Sequence, residues 1–432
     1  MFGLRPSQSA REKRVAELSL TVDASARSWV DVPEDSHFPI QNLPLGLACM
    51  ADHNEAMVIG IGEHVLDLCA LCAEGLIPER DFPMLHCMLE LERGDASRLR
   101  EIAYDLLRED NPRLRDDAEL RAHVLRPMSE VEMMLPMEVC AFVDFYSGIH
   151  HASNVGRMFR PDMPPLLPNY RHLPVAYQGR ASSVIPSGVD VRRPHGIQKV
   201  GDEVIYGPTR ELDYELELGV FLGQGTELGH RLTPEEAQEH ILGCVLVNDW
   251  SARDVQRFEY QPLGPFLAKS FATSVSPWLV LPDALTPLLV EGQAQDPAPL
   301  PHLRHEGKTH LDLRLEVAIK TAKATRAQTI AVTNAQELYW SVGQQLAHLT
   351  SNGTPLEPGD LIASGTISGP ESGSFGSLLE ATWRGTQPIQ IEETGEDRTF
   401  LEDGDEVIMT AFGERDGIRI GFGELRARVL PA

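Results

Sequence analysis

The sequence predicts a β-rich α+β fold, with a small N-terminal domain followed by a large β-sandwich or roll. From about residue 137 onward, short β-like runs follow one another between glycine and proline residues and are interrupted by two helical patterns. From about residue 20 to 130, strand-like and loop-like sequence turns to helical spacing. This change of pattern, in a chain of 432 residues, predicts more than one domain.

The N-terminal domain is predicted to span residues 21–135, and the pattern changes near Arg126-Pro127. Its helical spacing covers Pro83–Leu107, where Arg and Glu stand between apolar residues. Residues 1–20 are rich in Arg, Ser and Glu and lack the apolar stretch of a signal peptide, so they are predicted to form a mobile leader. Residues 136–432 form the predicted β-rich domain.

The predicted strands of the second domain are short and apolar and are bounded by turn residues. They are Cys140–Phe145, Val184–Ile185, Tyr214–Leu222, Cys244–Asn248, Trp278–Leu281, Leu311–Ile319, Leu361–Ala363, Glu406–Ala411 and Glu424–Val429. Two helices interrupt them. One begins at Thr233, which opens a Thr-Pro-Glu-Glu capping sequence, and ends at Gly243; the other begins at Thr333 and ends at Asn352-Gly353.

Composition and charge restrict the partners of the chain. Its formal charge of −26 argues against nucleic acid and against an anionic membrane, which both attract basic surfaces, and it favours divalent cations. No run approaches the roughly 18 apolar residues that cross a bilayer. The six cysteines form no disulfide-scaffold pattern, which predicts a reducing cytoplasm.

Carboxylates concentrate in the sequence Asp213-Tyr-Glu-Leu-Glu217, and Asp249 follows further along the chain. On a strand, Asp213, Glu215 and Glu217 would project from one face, because side chains alternate with period two. Carboxylates gathered on one face repel each other, and a hard divalent cation such as Mg²⁺ or Ca²⁺ relieves that repulsion. The spacing therefore predicts a metal site, although a solvated strand face has the same pattern.

A second polar group follows a predicted strand. The stretch Asp144–His151 combines an acid, a phenol and two histidines within eight residues, and Arg160 comes shortly after it. Asp144 is a further candidate metal ligand, His151 is a candidate base, and Arg160 could bind a substrate carboxylate with two parallel hydrogen bonds.

Several longer stretches resemble the fumarylacetoacetate hydrolase family, and the resemblance extends from about residue 30 to the C-terminus. The N-terminal match is Phe38-Pro-Ile-Gln-Asn-Leu-Pro44. The wider superfamily commonly lacks both this N-terminal domain and the stretch that begins at Asp144 and includes His151. The other matching stretches are Asp144–Gly156, Gly179–Ser183, Asn248–Asp254 and Pro262–Phe266.

The resemblance implies site residues position by position. The implied cation site consists of Asp144, Glu215, Glu217 and Asp249, with Lys269 and Thr273 beside it. The implied catalytic residues are His151, Glu380 as its orienting carboxylate, and Lys269, Arg253 and Gln256 around the developing oxyanion. The implied substrate contacts are Tyr146, Arg160, Tyr177, Gln256, Tyr260 and Thr366.

The resemblance also implies an SH3-like fold for the N-terminal domain, a catalytic C-terminal domain, Mg²⁺ or Ca²⁺ as cofactor, a homodimer, and hydrolysis of a carbon–carbon bond in a small diketo acid, 4-fumarylacetoacetate. The stretch Gly148-Ile149-His150 departs from the family pattern, which more often has polar residues between Ser147 and His151; His151 stays in register, and His150 is an additional histidine beside it. Two alternatives remain open at this point. One is an acylpyruvate hydrolase, or a decarboxylase or isomerase of 2-oxo acids, in the same superfamily; the other is a metal-binding β-rich module without catalysis.

Overall fold

The computed structural model describes residues 23–50, 54–78, 82 and 88–432. The predicted leader, residues 1–20, lies outside the described residues, as do residues 83–87 of the predicted helical stretch. The described part of the chain is rich in β-strands, which confirms the predicted β-rich class. None of its helices combines the length and the apolar sequence that a bilayer-crossing span requires.

The N-terminal part of the chain forms an antiparallel sheet with the strand order β4-β3-β2-β1-β5. Its strands are β1 Leu45–Cys49, β2 Glu55–Ile61, β3 His64–Asp67, β4 Leu125–Pro127 and β5 Glu132–Met133. The helices of this part are α1 Leu68–Ala73, α2 Arg93–Leu107, α3 Pro112–Arg115 and α4 Ala118–Val124. Apolar side chains of the sheet and of α2 share one buried cluster, so the helix covers the sheet.

Two large sheets follow. The mixed sheet, with the order β7-β6-β21-β13-β14-β16-β8, consists of β6 Phe142–Phe145, β7 Ala176–Gln178, β8 Val184–Pro186, β13 Leu216–Leu222, β14 Ile241–Asp249, β16 Thr273–Val275 and β21 Leu361–Ala363. The second sheet, with the order β20-β19-β24-β25-β9, consists of β9 Val191–Arg192, β19 Arg314–Lys320, β20 Gln328–Asn334, β24 Glu406–Arg415 and β25 Ile418–Leu430.

Shorter elements connect these sheets. The paired strands are β10 His195–Val200 with β11 Glu203–Pro208, β12 Leu212–Asp213 with β15 Ser251–Ala252, β17 Leu289–Glu291 with β18 Lys308–Leu311, and β22 Ile389–Gln390 with β23 Asp397–Arg398. The helices are α5 Ile149–Phe159, α6 Pro234–Ala237, α7 Arg253–Glu259, α8 Pro282–Leu285, α9 Val342–Thr350 and α10 Leu378–Ala381.

The mixed sheet is buried on both faces. Leu218 and Leu246 contribute to a core that also contains Val317 of the second sheet, whereas Phe221 and Val247 pack into the cluster of the N-terminal part. Every residue of β13 and of β14 is therefore buried, and any charged side chain on these strands must find a partner inside the protein.

Both predicted helices of the β-rich part have wrong boundaries. The helix capped by Thr233 ends at Ala237, because the chain enters strand β14 at Ile241, and pairing with β13 replaces the helix expected through Gly243. Thr333 lies in strand β20 rather than at a helix start. The helix there begins after Ser341, which forms the capping box with Gln344.

Several predicted strands also differ from the structure. Trp278–Leu281 is not a strand and makes only isolated bridges to Leu45 and Cys244. Leu311–Ile319 divides into the end of β18 and most of β19. The expected strand Tyr214–Leu222 begins at Leu216, because the chain is interrupted at residues 214 and 215 between β12 and β13. Asp213 is thus separated from Glu217, which affects the site directly.

Candidate active site

Four buried carboxylates meet at one end of the mixed sheet. Asp144 lies on β6, Glu217 lies on β13, Asp249 is the last residue of β14, and Glu215 immediately precedes β13. Each of them offers one oxygen atom, and these four atoms lie within 4.8 Å of one another. The structure therefore brings together the four carboxylates of the implied cation site.

Strand alternation explains why these side chains share one face. Val143, Leu218 and Leu246 point into the core between the two large sheets. Because side chains alternate along a strand, Asp144 and Glu217 project from the opposite face. The carboxylates stand at the end of that face, on the side of the sheet that packs against the N-terminal part.

Asp144 and Glu217 have too few partners for ionised groups. Oδ1 of Asp144 and Oε1 of Glu217 are buried and accept no hydrogen bond from the described residues. The other Glu217 oxygen, Oε2, accepts the Gly365 N–H at 3.0 Å. Burial, followed by repulsion from neighbouring carboxylates, raises the pKa of both groups well above their ordinary values. A hard divalent cation fits this all-oxygen donor set, because it would supply the missing partner.

Glu215 and Asp249 are compensated by protein cations. Lys269 Nζ contacts Oε2 of Glu215 and lies 2.6 Å from Oδ2 of Asp249, and Arg253 Nη1 lies 2.7 Å from Oε1 of Glu215. Burial tends to raise the pKa of Glu215, but Lys269 and then Arg253 lower it well below its usual range. Two cations thus face four carboxylates, and this excess of negative charge is consistent with a bound cation.

Arg253 binds a further carboxylate that does not belong to the cluster. Its Nε donates to Oδ2 of Asp213 at 2.8 Å, and Nη1 donates to Oε1 of Gln256 at 3.1 Å. Asp213 also accepts the backbone N–H groups of Leu378 and Leu379 at 2.7 and 3.0 Å. The expected common face of Asp213 with Glu215 and Glu217 is therefore wrong, because the interruption before β13 redirects Asp213 toward Arg253 and α10.

Tyr177 and Thr273 hold Asp249. The Tyr177 hydroxyl donates to Oδ2 at 2.6 Å, and the Thr273 hydroxyl donates to Oδ1 at 3.0 Å. Burial, followed by Asp249, raises the pKa of Tyr177 well above its ordinary value, so the phenol remains a donor. Tyr177 thus contacts a carboxylate of the cluster as well as being an implied substrate contact.

His151 lies on the first turn of α5, beside the carboxylate cluster. Its Nδ1 is 2.5 Å from Oε2 of Glu380, and its Nε2 is 3.9 Å from Oε1 of Glu215. A side chain at Gly148, which precedes this helix, would place its Cβ only 2.1 Å from the Thr366 carbonyl oxygen. Glycine therefore permits the close approach that places His151 between Glu380 and the cluster.

Glu380 has three further hydrogen-bond donors, which sequence reasoning missed. Asn154 Nδ2 donates to Oε1 at 3.0 Å, and the Ser368 and Ser377 hydroxyls both donate to Oε2 at 2.9 Å. Burial tends to raise the pKa of Glu380, but His151 and these donors lower it. The Ser-x-x-Glu spacing of Ser377 and Glu380 is a helix-capping signature, and it could have identified one of the three.

Tyr146 lies beside His151, and Arg160 lies at the C-terminal end of the helix that carries His151. The Tyr146 ring stands edge-on to His151, with ring centroids 5.4 Å apart, and burial followed by Glu215 raises its pKa. Arg160 ends helix α5 and donates from Nη2 to the Pro165 carbonyl at 3.3 Å. Its Nε is buried and has no hydrogen-bond partner among the described residues, so it retains a donor for a ligand.

The structure gives the remaining predicted residues no direct contact with the cluster. The half-buried Tyr260 accepts a hydrogen bond at its hydroxyl from Gln261 at 3.0 Å, and Thr366 is buried beside Gly148. His150, adjacent to the candidate base, points elsewhere and forms an ion pair with Glu337 at 3.1 Å.

Family models and related proteins match almost the whole chain. A family model described as "Fumarylacetoacetate (FAA) hydrolase C-terminal" matches residues 140–430, and one described as "Fumarylacetoacetase N-terminal" matches residues 41–136. Fumarylacetoacetase of Homo sapiens is 46% identical over 415 residues, and that of Bos taurus is 45% identical over 415 residues; each alignment covers 94% of this chain and 99% of the relative. The solved structure of fumarylacetoacetate hydrolase from Exiguobacterium antarcticum has a similar fold, with a TM-score of 0.51 at 18% identity, covering 90% of this chain and 100% of that one.

Proposed function

Because the chain belongs to the fumarylacetoacetate hydrolase family, we propose that it hydrolyses a carbon–carbon bond of 4-fumarylacetoacetate and releases fumarate and acetoacetate, the last step of tyrosine and phenylalanine breakdown. The chain is a hydrolase of the same kind as the fumarylacetoacetases that it matches over 94% of its length. The observation that carries the proposal is the buried His151–Glu380 pair, which lies against a cluster of four carboxylates in a chain this similar to them.

Asp144, Glu215, Glu217 and Asp249 would hold the cation, with Lys269 and Thr273 beside it. The all-oxygen donor set favours Mg²⁺ or Ca²⁺ over softer metals. When bound, such a cation polarises the oxygens of a 1,3-diketone and stabilises the enolate that leaves. The unpartnered oxygens of Asp144 and Glu217 support this assignment, because they are the positions that the protein leaves without a donor.

His151 would act as the general base. Glu380 binds its Nδ1, which leaves Nε2, on the side of the cluster, to take a proton from water. The resulting hydroxide attacks the carbonyl carbon, and the carbon–carbon bond then breaks with its electron pair on the departing enolate. His151 returns the proton to that carbanion, so the protons balance over one turnover.

Lys269 and Gln256 would donate to the oxyanion that forms at the attacked carbonyl. An ammonium has three protons, and Lys269 uses two of them on Glu215 and Asp249, which leaves one available. The Gln256 oxygen accepts from Arg253, so the amide N–H groups of Gln256 would be the atoms that donate to the oxyanion. Arg253 contacts Asp213, Glu215 and Gln256, but its buried Nη2 forms no hydrogen bond with the described residues, so Arg253 would contribute both by orienting Gln256 and by its own positive charge.

Arg160 would bind a terminal carboxylate of the substrate through its unpartnered Nε. A carboxylate ligand in a chain with a net charge of −26 requires such a local cation. The hydroxyls of Tyr146, Tyr177, Tyr260 and Thr366 and the amide of Gln256 would complete the substrate contacts.

A turnover assay tests this function. We expect the purified chain, supplied with Mg²⁺ or Ca²⁺, to consume fumarylacetoacetate, measured as loss of the diketone absorbance and as release of fumarate. An acylpyruvate and a 2-oxo acid of similar size serve as matched competitors. A higher kcat/KM with either of them, or no hydrolysis of fumarylacetoacetate, would contradict the assignment.

We further propose that residues 21–135 form an SH3-like N-terminal domain and that residues 136–432 form the catalytic domain. The antiparallel sheet β1–β5 lies wholly within the first range, which supports this division. Limited proteolysis with mass spectrometry tests it. First cuts between Met133 and Phe142 are expected, and first cuts inside the mixed sheet would contradict it.

The chain would act in the cytoplasm as a homodimer. Ile197, Val204 and Tyr206 lie on one exposed face of the β10–β11 hairpin, since Ile197 pairs with Tyr206 and Lys199 with Val204. A second copy of the chain would cover this apolar face. Light scattering should give the mass of a dimer for the wild type and a lower average mass for Tyr206→Lys. A monomeric wild type would exclude the homodimer.

Cell fractionation tests the proposed cytoplasmic location.

A further inference from the structure

Among the described residues, the carboxylate of Glu380 contacts three groups that donate hydrogen bonds to it and one ring nitrogen, Nδ1 of His151, whose role depends on the tautomer. Oε2 faces Nδ1 of His151 at 2.5 Å and the hydroxyls of Ser368 and Ser377 at 2.9 Å each. Oε1 faces Nδ2 of Asn154 at 3.0 Å. Glu380 and both serines are almost fully buried, so water does not replace these partners.

The two serine hydroxyls have fixed directions. Ser368 Oγ accepts the Gly376 N–H at 2.9 Å, and Ser377 Oγ accepts the Glu380 N–H at 3.4 Å. A backbone N–H can only donate, so it occupies an acceptor position of each hydroxyl. The single hydroxyl hydrogen of each serine is then directed to Glu380.

The Asn154 amide is oriented in the same way. Its Oδ1 accepts Nη1 of Arg157 at 3.0 Å, and a guanidinium has no acceptor atom. The opposite assignment of the amide would place two donors against each other at Arg157. Nδ2 therefore faces Glu380, and all three neighbours donate to the carboxylate.

We infer that Asn154, Ser368 and Ser377 are positioning residues that keep Glu380 ionised and fix the His151 proton on Nδ1, so that Nε2 carries the lone pair that accepts a proton from water. This inference rests on the proposed function for its catalytic meaning. A proton on Glu380 would face the donors of Asn154, Ser368 and Ser377, which favour the ionised carboxylate, so the proton shared with His151 stays on Nδ1 and Glu380 remains an anion throughout turnover.

Two substitutions of Asn154 separate hydrogen-bond polarity from packing. Asn154→Asp keeps the size of the side chain and an acceptor for Arg157 but places an anion against Glu380, whereas Asn154→Ala removes the donor and leaves a gap. We expect kcat to fall by roughly 10²-fold for Asp and by about tenfold for Ala, within the usual range for disturbing a positioned base. KM should change by less than about threefold, because the Asn154 side chain binds Glu380 and Arg157, neither of which is a proposed substrate contact. A smaller loss for Asp than for Ala would overturn the inference.

Ser368 provides a second test, because Ser377 also caps α10 and its removal would disturb the fold. Ser368→Ala should lower kcat by about tenfold. Ser368→Cys, which has a similar shape and a weak S–H donor, should lower kcat by less than Ser368→Ala does. Ser276→Ala is the matched control, since this buried serine accepts the Leu246 N–H remote from Glu380. Equal kcat values for the Ser368 and Ser276 variants would overturn the inference.

The tautomer of His151 can be observed without an activity assay. In ¹⁵N-histidine spectra, assigned with His151→Gln, wild-type His151 should show a protonated Nδ1 and an unprotonated Nε2, and the Nδ1 proton signal should shift in Ser368→Ala. A neutral ring with its proton on Nε2 would overturn the inference. If the wild type fails to hydrolyse fumarylacetoacetate, the proposed function fails, while these spectra still decide the inference.

Discussion

Glu217 and Glu380 are both buried glutamates of the same site, and their surroundings are opposite. Glu380 faces three donors and the ring of His151, and its pKa is lowered by His151 against the effect of burial. Among the described residues, Glu217 accepts the backbone N–H of Gly365, its other oxygen accepts no hydrogen bond, and its pKa is raised by burial and then by Asp144. The protein surrounds Glu380 with groups that stabilise an anion, whereas an ionised Glu217 would need a bound cation as a further partner.

The largest expected effect comes from substitutions in the carboxylate cluster that is proposed to bind the cation. Glu217→Ala or Asp249→Ala should reduce kcat by roughly 10³-fold or more, because the remaining carboxylates cannot complete the coordination of a hard cation whose stabilisation amounts to several kcal/mol. The fold should largely survive. Metal content and kcat of the purified variants measure this, with the exposed Glu227→Ala as the matched control. Full metal content in Glu217→Ala would remove Glu217 from the cation site.

On the side of Glu380, the expected loss differs in kind. His151→Ala should leave the metal content near that of wild type but lower kcat by roughly 10² to 10⁴, the usual contribution of a positioned acid-base group. The control is His150→Ala, because His150 contacts Glu337 and not Glu380. A larger loss in the His150 variant would show that the wrong histidine has been assigned as the base.

Arg160 tests substrate recognition outside both carboxylate environments. Arg160→Lys keeps the charge but loses the two parallel hydrogen bonds of a guanidinium. The ratio of kcat/KM for fumarylacetoacetate to kcat/KM for a neutral 1,3-diketone of similar size should shrink by about tenfold, corresponding to ~1.4 kcal/mol. An unchanged ratio would mean that Arg160 does not bind the carboxylate.

The two glutamates should also differ in how they link stability to pH. Because folding raises the pKa of Glu217 above its ordinary 4.5, its protonated form stabilises the metal-free fold, and that contribution is lost as pH rises above 4.5. As pH rises, the free energy of unfolding of the metal-free wild type should fall relative to that of Glu217→Gln, by up to ~1.4 kcal/mol per pH unit. Urea denaturation between about pH 5 and 8 measures this difference, which should shrink when a saturating cation is added. A difference independent of pH would contradict the raised pKa.

For Glu380 the sign is reversed. Its pKa is lowered on folding, so its stabilising contribution is present above 4.5 and is lost as pH falls through the folded value. Over the same pH range Glu380 is ionised in both the folded and the unfolded chain, so its own ionisation adds no pH dependence to stability.

The fold was predictable where strands are long and regularly patterned. The sequence pattern predicted the β-rich class and the approximate positions of β13, β14 and β24. It failed at Thr333 and at Gly243, where helix-like local sequence lies in or directly beside strands. Cross-strand pairing, which a local pattern does not contain, decides the conformation there.

For the site, period-two alternation predicted that Glu215 and Glu217 lie close together, which they do although Glu215 precedes β13, but it could not reveal the interruption at residues 214 and 215 or the separate position of Asp213. Asn154 and Ser368 were missed because their contacts with Glu380 are formed only by the folded chain, whereas Ser377 lies in a local Ser-x-x-Glu capping pattern with Glu380 that could have identified it. Their residue types are common in turns and caps, and only their hydrogen-bond partners distinguish them.

Removal and restoration of the cation test the central claim most directly, namely that the four carboxylates bind a divalent cation on which hydrolysis by His151 depends. The protein would be freed of metal by chelation, verified by elemental analysis, and assayed with fumarylacetoacetate before and after titration with Mg²⁺ or Ca²⁺. We expect the rate to fall to background and to return as the cation binds, with Glu217→Ala failing to recover. An undiminished rate in verified metal-free protein would contradict the claim.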